Sequence, residues 1–466
     1  NLVRKPHVLG PGADYFTEDG QPVRPQPGAN TLQRVFSGSV LDLNATVGDM
    51  LSDEDVSHGT GARQAPQNLP QSQQQHALQD GAVSTILSQL SSETEKGRAK
   101  SAKSKTNVLV IGGIGYTSSH IVTKLLEEGY TVRITVSDST NQQQQMELQS
   151  IPRDPELHLS IFEADITNSA SLRDALKGCK YVIHCGCAVT AADKDPVSLH
   201  LNAVQALFDA IRLVGKSIVK RVVITGAASS VFHVTDQDPP SGFFDELFWN
   251  TVATPSTDPI PYARISFEKE AWRLRQMLGV ELVVVLPSIT IGPSKTEEVS
   301  DAMRKLQGLA TASSYFPYAP NLYWNFVDVR DVADAHVRAL ECQEVKNQRV
   351  IVSNGCYSYA ELGKMIKEAY PHLTPPTRTA NTLMTLLIGA AHSQVNIRFL
   401  WRTLGVRKRL DARRAKTALG VKFTPMSETI RDSIEQMIRA SEVPAPDAAD
   451  DPRRSSFSGY FALTAV

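Results

Sequence analysis

A glycine-rich turn, Gly-Gly-Ile-Gly from Gly112 to Gly115, is the feature of this sequence best suited to chemistry. It stands between an apolar, β-branched run beginning at Asn107 and a segment whose apolar residues recur at helical spacing. In such a strand–turn–helix unit, Gly112 permits the tight turn and Gly115 lets a pyrophosphate approach the backbone. The phosphate charge then faces the amino end of the helix. The turn therefore predicts a dinucleotide-binding site.

After this first unit, predicted strands and helices continue to alternate along the chain. Apolar runs such as VLVIG, TVRITV, KYVIHCG, KRVVITGA and VELVVVLPS are separated by segments with helical periodicity. This alternation predicts an α/β fold, a Rossmann-type doubly wound parallel sheet with helices on both faces. After Pro293 the pattern loosens, which predicts a smaller C-terminal substrate-type lobe over the carboxyl ends of the strands.

The sequence divides into a central domain and two low-complexity terminal extensions. Residues 1–105 carry Pro and Gly clusters, a Gln-rich patch and a Ser/Lys run, a composition that cannot build a core. Residues 106–440 hold the α/β domain, with the nucleotide-binding core at about 106–293 and the smaller lobe mostly at 294–440. Residues 441–466 form a tail that is rich in Pro, Ala and Asp.

Bulk properties exclude several classes of protein. A net charge of -1 gives no global field for nucleic acid or an anionic membrane. The five cysteines lack CxxC spacing, so we expect neither a disulfide framework nor a metal site. Apolar stretches such as Val280–Leu286 fall short of the roughly 20 residues of a membrane helix, so no membrane span is expected. The basic stretch from Arg398 to Lys416 is either a solvated helical face or a contact for an acidic partner or lipid.

From Asn107 to about Arg439 the sequence resembles an extended short-chain dehydrogenase/reductase of the NAD-dependent epimerase/dehydratase superfamily. The branch is the one that holds dihydroflavonol reductases, cinnamoyl-CoA reductases and 3β-hydroxysteroid dehydrogenases. The resemblance is carried by VLVIGGIGYTSSHIVTKLLEEGYTVRITVSD, LKGCKYVIHC, VKRVVITGAASSV, FDELFWN before PYA, VVLPSITIGP and NFVDVRDVADAHVRALE. It implies NADP or NAD as the cofactor.

The resemblance also implies individual cofactor contacts. Asp165 is expected to approach the adenine, Gly186 to lie beneath the cofactor, and Pro287 to border the nicotinamide. Further cofactor contacts are expected at Tyr116, Thr117, Ser137, Asp138, Ile166, Thr225 and Tyr262. Ser118 stands where the family has its third glycine. Ser137 replaces the Arg that grips the 2′-phosphate in NADP-dependent relatives, and Asp138 and Arg133 remain nearby, so both NAD and NADP stay open.

The catalytic positions of the family are only partly kept. The family uses a Ser or Thr to hold the substrate carbonyl, a Tyr to donate the proton, and a Lys four residues later to activate the Tyr. Tyr262 is present, but the Ser and Lys positions hold Ala227 and Ser266. Lys269 lies roughly 10 Å along a helix from Tyr262 instead of about 6 Å and is expected to be a solvated charge. Ser229 would need a rearranged turn to replace the missing hydroxyl.

These departures favour a catalytically decayed NAD(P)-binding protein. We expect it to be an accessory or structural subunit of a larger complex. Its terminal extensions would attach it to that complex, together with an apolar helical stripe at Val83, Ile86, Leu87 and Leu90. By fold-level analogy with the nucleotide-binding accessory subunit of respiratory complex I, a mitochondrion or other organelle is favoured over the cytoplasm. The alternative is an active NAD(P)H-dependent carbonyl reductase or hydroxysteroid-type dehydrogenase. An RNA-associated protein is disfavoured, since no aromatic residues interleave with the basic stretch.

Overall fold

A computed structural model describes residues 106–445 apart from 139, 141–157, 188–194, 216–217, 297–299, 313–316 and 391–396. The N-terminal extension with its apolar stripe, and the tail beyond residue 445, lie outside the described residues. The predictions that fall on those segments therefore remain predictions.

Twelve strands are described. They are β1 (Asn107–Ile111), β2 (Thr131–Val136), β3 (Leu159–Glu163), β4 (Tyr181–His184), β5 (Arg221–Thr225), β6 (Glu281–Pro287), β7 (Ile289–Ile291), β8 (Tyr318–Ala319), β9 (Tyr323–Asp328), β10 (Gln348–Val352), β11 (Gly355–Ser358) and β12 (Arg378–Thr379). The described helices are α1 (Tyr116–Glu127), α2 (Ser169–Leu176), α3 (Pro196–Val214), α4 (Pro259–Leu278), α5 (Asp301–Ala310), α6 (Val329–Ala339), α7 (Tyr359–Ala369), α8 (Thr382–Ala390), α9 (Ile397–Thr403), α10 (Arg413–Thr417) and α11 (Met426–Arg439).

The main sheet is parallel throughout and has the order β10–β6–β5–β4–β1–β2–β3. Helices α1 and α6 pack together in one layer, and α2, α3 and α4 pack together in another. The central strands are apolar along their whole length because both faces of the sheet are covered. In β1, for example, the side chains from Val108 to Ile111 are fully buried. The doubly wound parallel sheet predicted from the sequence is confirmed.

Helix ends follow local chemistry. The helix α3 begins where the Asp195 carboxylate accepts a 3.0 Å hydrogen bond from the Ser198 amide, and Pro196 occupies the first turn. The helix α4 also starts with a proline, Pro259, and it ends at Gly279 in a left-handed conformation with φ +70°. This helix is the one that carries the candidate catalytic tyrosine.

The smaller lobe contains a three-stranded sheet in the order β11–β9–β7 and the two-stranded pair β12–β8. Helices α5, α7 and α11 contribute to its separate apolar core. The chain enters this lobe after β6, returns through β10 to the edge of the main sheet, and then re-enters it at β11. Residues 294–440 are therefore shared between the two cores.

The basic stretch from Arg398 to Lys416 does not form one solvated helical face, contrary to the simplest interpretation of its sequence. The Lys408 side chain is buried, and its ammonium lies 2.9 Å from the Asp238 carboxylate. The Arg407 guanidinium donates a 2.7 Å hydrogen bond to the Cys356 carbonyl. The stretch is divided between two short helices with an extended connection, so several of its charges are used inside the fold.

Within the part of the chain that the structure describes, none of the helices combines the length and the apolar character needed to cross a bilayer.

Candidate functional site

The glycine-rich turn follows β1 directly and depends on two of its glycines for shape. Gly112 adopts φ +74°, which favours glycine, and its amide donates a 3.1 Å hydrogen bond to the Thr135 hydroxyl of β2. A Cβ added at Gly113 would lie 2.6 Å from the Ile134 Cβ, so the turn packs its bare backbone against β2. The sequence analysis did not single out Gly113, because the residue it packs against, Ile134, belongs to another strand and is brought close only by folding.

Ser118, in place of a third glycine, is buried in the first turn of α1. Its hydroxyl accepts a 2.7 Å hydrogen bond from the Gly115 amide and lies 3.1 Å from the Gly115 carbonyl. Gly115 itself has extended backbone at the start of the helix. The serine therefore fits between helix and sheet and stabilises the turn, while the turn still leads into the amino end of α1.

The acidic residues at the ends of β2 and β3 have equivalent local geometry. The Asp138 carboxylate accepts hydrogen bonds from both the amide and the hydroxyl of Thr140, at 2.8 and 2.6 Å. The Asp165 carboxylate accepts the same pair from Thr167, at 2.8 and 2.7 Å. Both aspartates are exposed, as is Ser137. They lie beyond the carboxyl ends of adjacent strands, where a doubly wound sheet binds its ligands.

Gly186 follows the carboxyl end of β4, which pairs with β1. It adopts φ +86°, and its carbonyl oxygen would lie 3.8 Å from a Cβ placed at Gly112. Two other predicted contacts, Ile166 and Pro287, are half-buried near the ends of β3 and β6, and Thr117 is half-buried in the first turn of α1.

The Thr225 side chain is engaged inside the fold. Its hydroxyl lies 2.8 Å from the His336 Nε2 atom, and His336 Nδ1 lies 2.8 Å from the Val332 carbonyl. A carbonyl can only accept, so Nδ1 carries the proton and Nε2 accepts from Thr225. Burial lowers the pKa of His336 to about 4, which keeps the imidazole neutral. This pair joins the end of β5 to α6.

Tyr116 also has an internal role that the sequence did not reveal. Its ring is buried, and its hydroxyl donates a 2.8 Å hydrogen bond to the Gly292 carbonyl. One turn later, His120 Nε2 lies 2.8 Å from the Pro293 carbonyl, and burial lowers the pKa of His120 to about 4. The two side chains attach α1 to the point where the chain leaves the main sheet for the smaller lobe.

Tyr262 lies in the first turn of α4 and is half-buried. Ala227 and Ser266 stand at the two positions that are expected to assist it by the resemblance to the family. Ala227, at the end of β5, is buried and carries no hydroxyl. The Ser266 hydroxyl donates a 2.8 Å hydrogen bond to the carbonyl of Tyr262. Neither position supplies the carbonyl donor or the ammonium that the family's chemistry requires.

Lys269 is not the solvated charge that its sequence position suggested. Its ammonium lies 5.8 Å from the centre of the Trp249 ring, and the side chain is half-buried. Burial lowers the pKa of this ammonium below its usual value. The lysine therefore packs against Trp249, two turns along α4 from Tyr262.

The serines after Ala227 form a 3-10 turn at Ala228–Ser230 that is fixed by Asn250. The Asn250 side-chain amide donates to the Ser229 carbonyl, and its backbone amide donates to the Ser230 carbonyl, both at 2.9 Å. The Ser230 hydroxyl is fully buried. Ser229 is half-buried, so of the two it has the hydroxyl nearer to solvent.

A buried ion pair holds α4 against the sheet. The guanidinium of Arg349, in β10, lies 2.7 Å from the Glu268 carboxylate, and both side chains are 0% exposed. Arg349 also stacks on the Trp249 ring at 3.8 Å and donates to the Phe248 carbonyl at 2.6 Å. These contacts fix the orientation of the helix that carries Tyr262.

The cysteines at the end of β4 are free thiols, of which Cys185 is half-buried and Cys187 is buried. Burial raises the pKa of Cys185 and of Cys187 to about 12, so both remain protonated and unreactive near neutral pH. Among the described residues no group of three or more His, Cys, Asp and Glu side chains is arranged to hold a metal ion.

Known proteins with similar sequences are reductases. Anthocyanidin reductase ((2S)-flavan-3-ol-forming) of Vitis vinifera is 29% identical over 289 residues, which cover 59% of this chain and 83% of the relative. Cinnamoyl-CoA reductase 1 of Petunia hybrida is 26% identical over 349 residues, covering 74% of this chain and 96% of the relative.

Among solved structures, the fold is similar to that of yeast methylglyoxal/isovaleraldehyde reductase Gre2 complexed with NADPH. The TM-score is 0.61 at 24% identity, and the match covers 72% of this chain and 99% of that one. The family model described as NAD dependent epimerase/dehydratase family matches residues 108–353. The chain therefore belongs to the NAD dependent epimerase/dehydratase family, whose cofactor is a nicotinamide dinucleotide.

Proposed function

We propose that this protein binds NADP or NAD in the cleft at the carboxyl edge of the main sheet, and that its capacity to reduce carbonyl groups is vestigial. The observation that carries the proposal is which residues occupy positions 227 and 266, the two positions expected to assist Tyr262. Ser266 directs its hydroxyl to the backbone of its own helix, and Ala227 has no hydroxyl to offer.

The residues of the cleft fit a dinucleotide. A Cβ at Gly112 would meet only the Gly186 carbonyl, so the space above this turn is open to a phosphate. The turn leads into the amino end of α1, whose dipole favours a bound anion. Gly112, Gly115 and Gly186 are the residues that would border the pyrophosphate. The exposed Asp138 and Asp165 lie where the adenosine end would bind.

Carbonyl reduction needs more than a hydride donor, which is what the nicotinamide supplies when it is bound. A side chain must hold the carbonyl oxygen, and an acid must give it a proton. A phenol in water ionises only near pH 10, so a tyrosine acts efficiently near neutral pH only with a cation beside it. General acid–base assistance contributes about 10²–10⁴-fold, and the described residues around Tyr262 lack the groups that supply it in the family.

Equilibrium dialysis and a turnover assay test this proposal together. We expect binding of NADPH and NADH, and oxidation of the bound nucleotide by aldehydes or ketones at least about 100-fold slower than in a relative with all three catalytic groups. Binding without turnover supports the proposal. Failure to bind either nucleotide at millimolar concentration would contradict it.

The finer part of the proposal is a role as an accessory subunit of a larger assembly. It is supported by the low-complexity composition of residues 1–105, which cannot fold alone, and by their apolar stripe at Val83, Ile86, Leu87 and Leu90. Deletion of residues 1–105 should release the domain from a native-source complex while its melting temperature changes little. A large loss of domain stability would show that the segment belongs to the core.

The second candidate is an active NAD(P)H-dependent carbonyl reductase. It is favoured by the reductase activities of similar proteins and by the half-buried Ser229, two residues beyond Ala227. In that case the Ser229→Ala and Tyr262→Phe variants would each lower kcat by about 10²-fold or more. In a vestigial enzyme neither substitution changes the rate appreciably.

A further inference from the structure

Arg264 is a cation on α4 that has no anionic partner within the described part of the chain. No hydrogen bond or ion pair joins its guanidinium to the residues that the structure describes, and the side chain is half-buried. Arg273 on the same helix shows the ordinary arrangement, since its guanidinium lies 2.6 Å from the Glu270 carboxylate. Arg264 is therefore unusual among the arginines of α4.

The helix geometry indicates where Arg264 lies. Phe267, three residues later on the same side of α4, packs edge-to-face on His184 at 5.2 Å and on His200 at 5.8 Å between ring centres. His184 is the last residue of β4. Side chains on a helix lean toward its amino end, so Arg264 lies over the residues that follow His184. Its electrostatic influence on Cys187 and on His200 agrees with this position.

This position borders the nucleotide cleft. Cys187 follows Gly186, whose carbonyl approaches Gly112 of the glycine-rich turn. Tyr262 precedes Arg264 by two residues at the amino end of α4. The guanidinium is thus placed at the β4 side of the cleft, between the turn and the helix that carries the candidate catalytic residue.

Among the residues that the structure describes, none neutralises the charge of Arg264. The guanidinium is half-buried, and burial lowers its pKa. The neighbouring Cys187 thiol is not a counter-ion, because burial raises its pKa to about 12 and it stays protonated. A desolvated charge is costly unless it is paired, and a guanidinium pairs best with the two oxygens of a carboxylate or phosphate.

We propose that Arg264 binds an oxyanion of the ligand in this cleft, either a phosphate of the dinucleotide or a carboxylate of a second, substrate-like molecule. The proposal rests on the proposed function insofar as the cleft is the dinucleotide site. Arg264 would determine specificity by rejecting uncharged ligands at this position, because binding them leaves its charge unpaired.

Isothermal titration calorimetry of the full chain distinguishes the two sources of the oxyanion, the dinucleotide phosphate and the carboxylate of a second molecule. The variants are Arg264→Gln and Arg264→Lys, with Arg273→Gln as the matched control that removes a charge elsewhere on α4. The phosphate probes are NADPH, NADH and inorganic pyrophosphate. The carboxylate probe is 4-carboxybenzaldehyde, compared with its uncharged methyl ester in the presence of saturating NADPH.

We expect Arg264→Gln to weaken one class of probe by about 10-fold or more, with a smaller effect in Arg264→Lys and none in Arg273→Gln. Weaker pyrophosphate and nucleotide binding identifies the dinucleotide as the source. Weaker binding of the carboxylate, but not of the ester, identifies the substrate. Wild-type affinity of Arg264→Gln for every probe, or binding of no probe by the wild type, overturns the proposal.

Two further readouts separate this proposal from its alternatives. Because Arg264 has no partner to lose among the described residues, Arg264→Gln should keep or raise the melting temperature of the ligand-free protein. A clear fall would identify Arg264 as a structural anchor and contradict the proposal. Arg264-dependent binding of pyrophosphate or carboxylate without any nucleotide binding would refute the proposed function and leave the oxyanion site standing.

Discussion

The hydroxyl of Ser266 donates a 2.8 Å hydrogen bond to the carbonyl oxygen of Tyr262, one turn earlier in α4. A serine inside a helix commonly bonds to its own backbone in this way. The Ser266 side chain is therefore bonded within its own helix and places no charge beside the phenol of Tyr262. The cation two residues away, Arg264, leaves the helix in a different direction from Tyr262.

Nucleotide binding should depend on the bare backbone of the glycine-rich turn. Gly115→Trp would fill the space at the amino end of α1, and we expect it to weaken NADPH binding by about 100-fold or more, because the ring blocks the pyrophosphate. Equilibrium dialysis measures this loss. Leu213→Trp, at an exposed position on α3, is the control and should bind as the wild type does. Unchanged affinity in Gly115→Trp would place the nucleotide elsewhere.

The buried pair of Arg349 and Glu268 should dominate the stability of α4. Glu268→Gln leaves a fully buried guanidinium without its counter-ion, so the free energy of unfolding should fall by about 3–5 kcal/mol. Glu270→Gln removes the partner of the exposed Arg273 and should cost less than about 1 kcal/mol. Urea denaturation checks both values. Equal effects of the two substitutions would mean that burial does not set the strength of the inner pair.

Acid should destabilise the domain through four buried histidines, since burial lowers the pKa of His200 as well as those of His120, His184 and His336. Burial lowers the pKa of His120, His184 and His336 from 6.5 to about 4 in the folded state. The unfolded chain takes up these protons near pH 6.5, so the stabilisation is complete above that pH and is lost as the pH falls toward 4. We expect His120, His184 and His336 each to contribute about 1–2 kcal/mol to the loss between pH 7 and pH 5.

Two carboxyls act in the opposite direction. Burial raises the pKa of Asp331 to about 6 and also raises the pKa of Glu246, so acidification stabilises the folded state through both. Four imidazoles outweigh two carboxyls, and the net free energy of unfolding should fall. His120→Gln, which keeps a donor toward the Pro293 carbonyl, should make the fall shallower, and Asp331→Asn should make it steeper. A free energy that does not change between pH 7 and pH 5 would show that these histidines are not held neutral.

The sequence predicts the main sheet and the glycine-rich turn because both are local patterns. A strand that is buried on both faces must be apolar along its length, and a turn with φ above zero needs glycine. The sequence does not predict contacts made by the tertiary fold. The bond from Tyr116 to Gly292 spans 176 residues, and the pair of Arg349 and Glu268 spans 81. Lys269 seemed solvated for the same reason, since Trp249 reaches it only in the folded chain.

In the candidate site, too, some features can be predicted from the sequence and others depend on the tertiary fold. The positions of Ala227 and Ser266 are visible in the sequence through the resemblance to the family, and so is the expectation of weak catalysis. The orientation of the Ser266 hydroxyl and the lack of a counter-ion for Arg264 among the described residues are visible only in the structure.

The central claim is that Tyr262 lacks its two helpers, and turnover of the double reversal Ala227→Ser with Ser266→Lys tests it most directly. Oxidation of NADPH would be followed by absorbance over a panel of aldehydes and ketones, with wild type and Tyr262→Phe alongside. We predict wild-type rates near background, little change in Tyr262→Phe, and a gain of about 10²-fold or more in the double variant. Robust wild-type turnover that Tyr262→Phe destroys would contradict the claim and establish an active reductase.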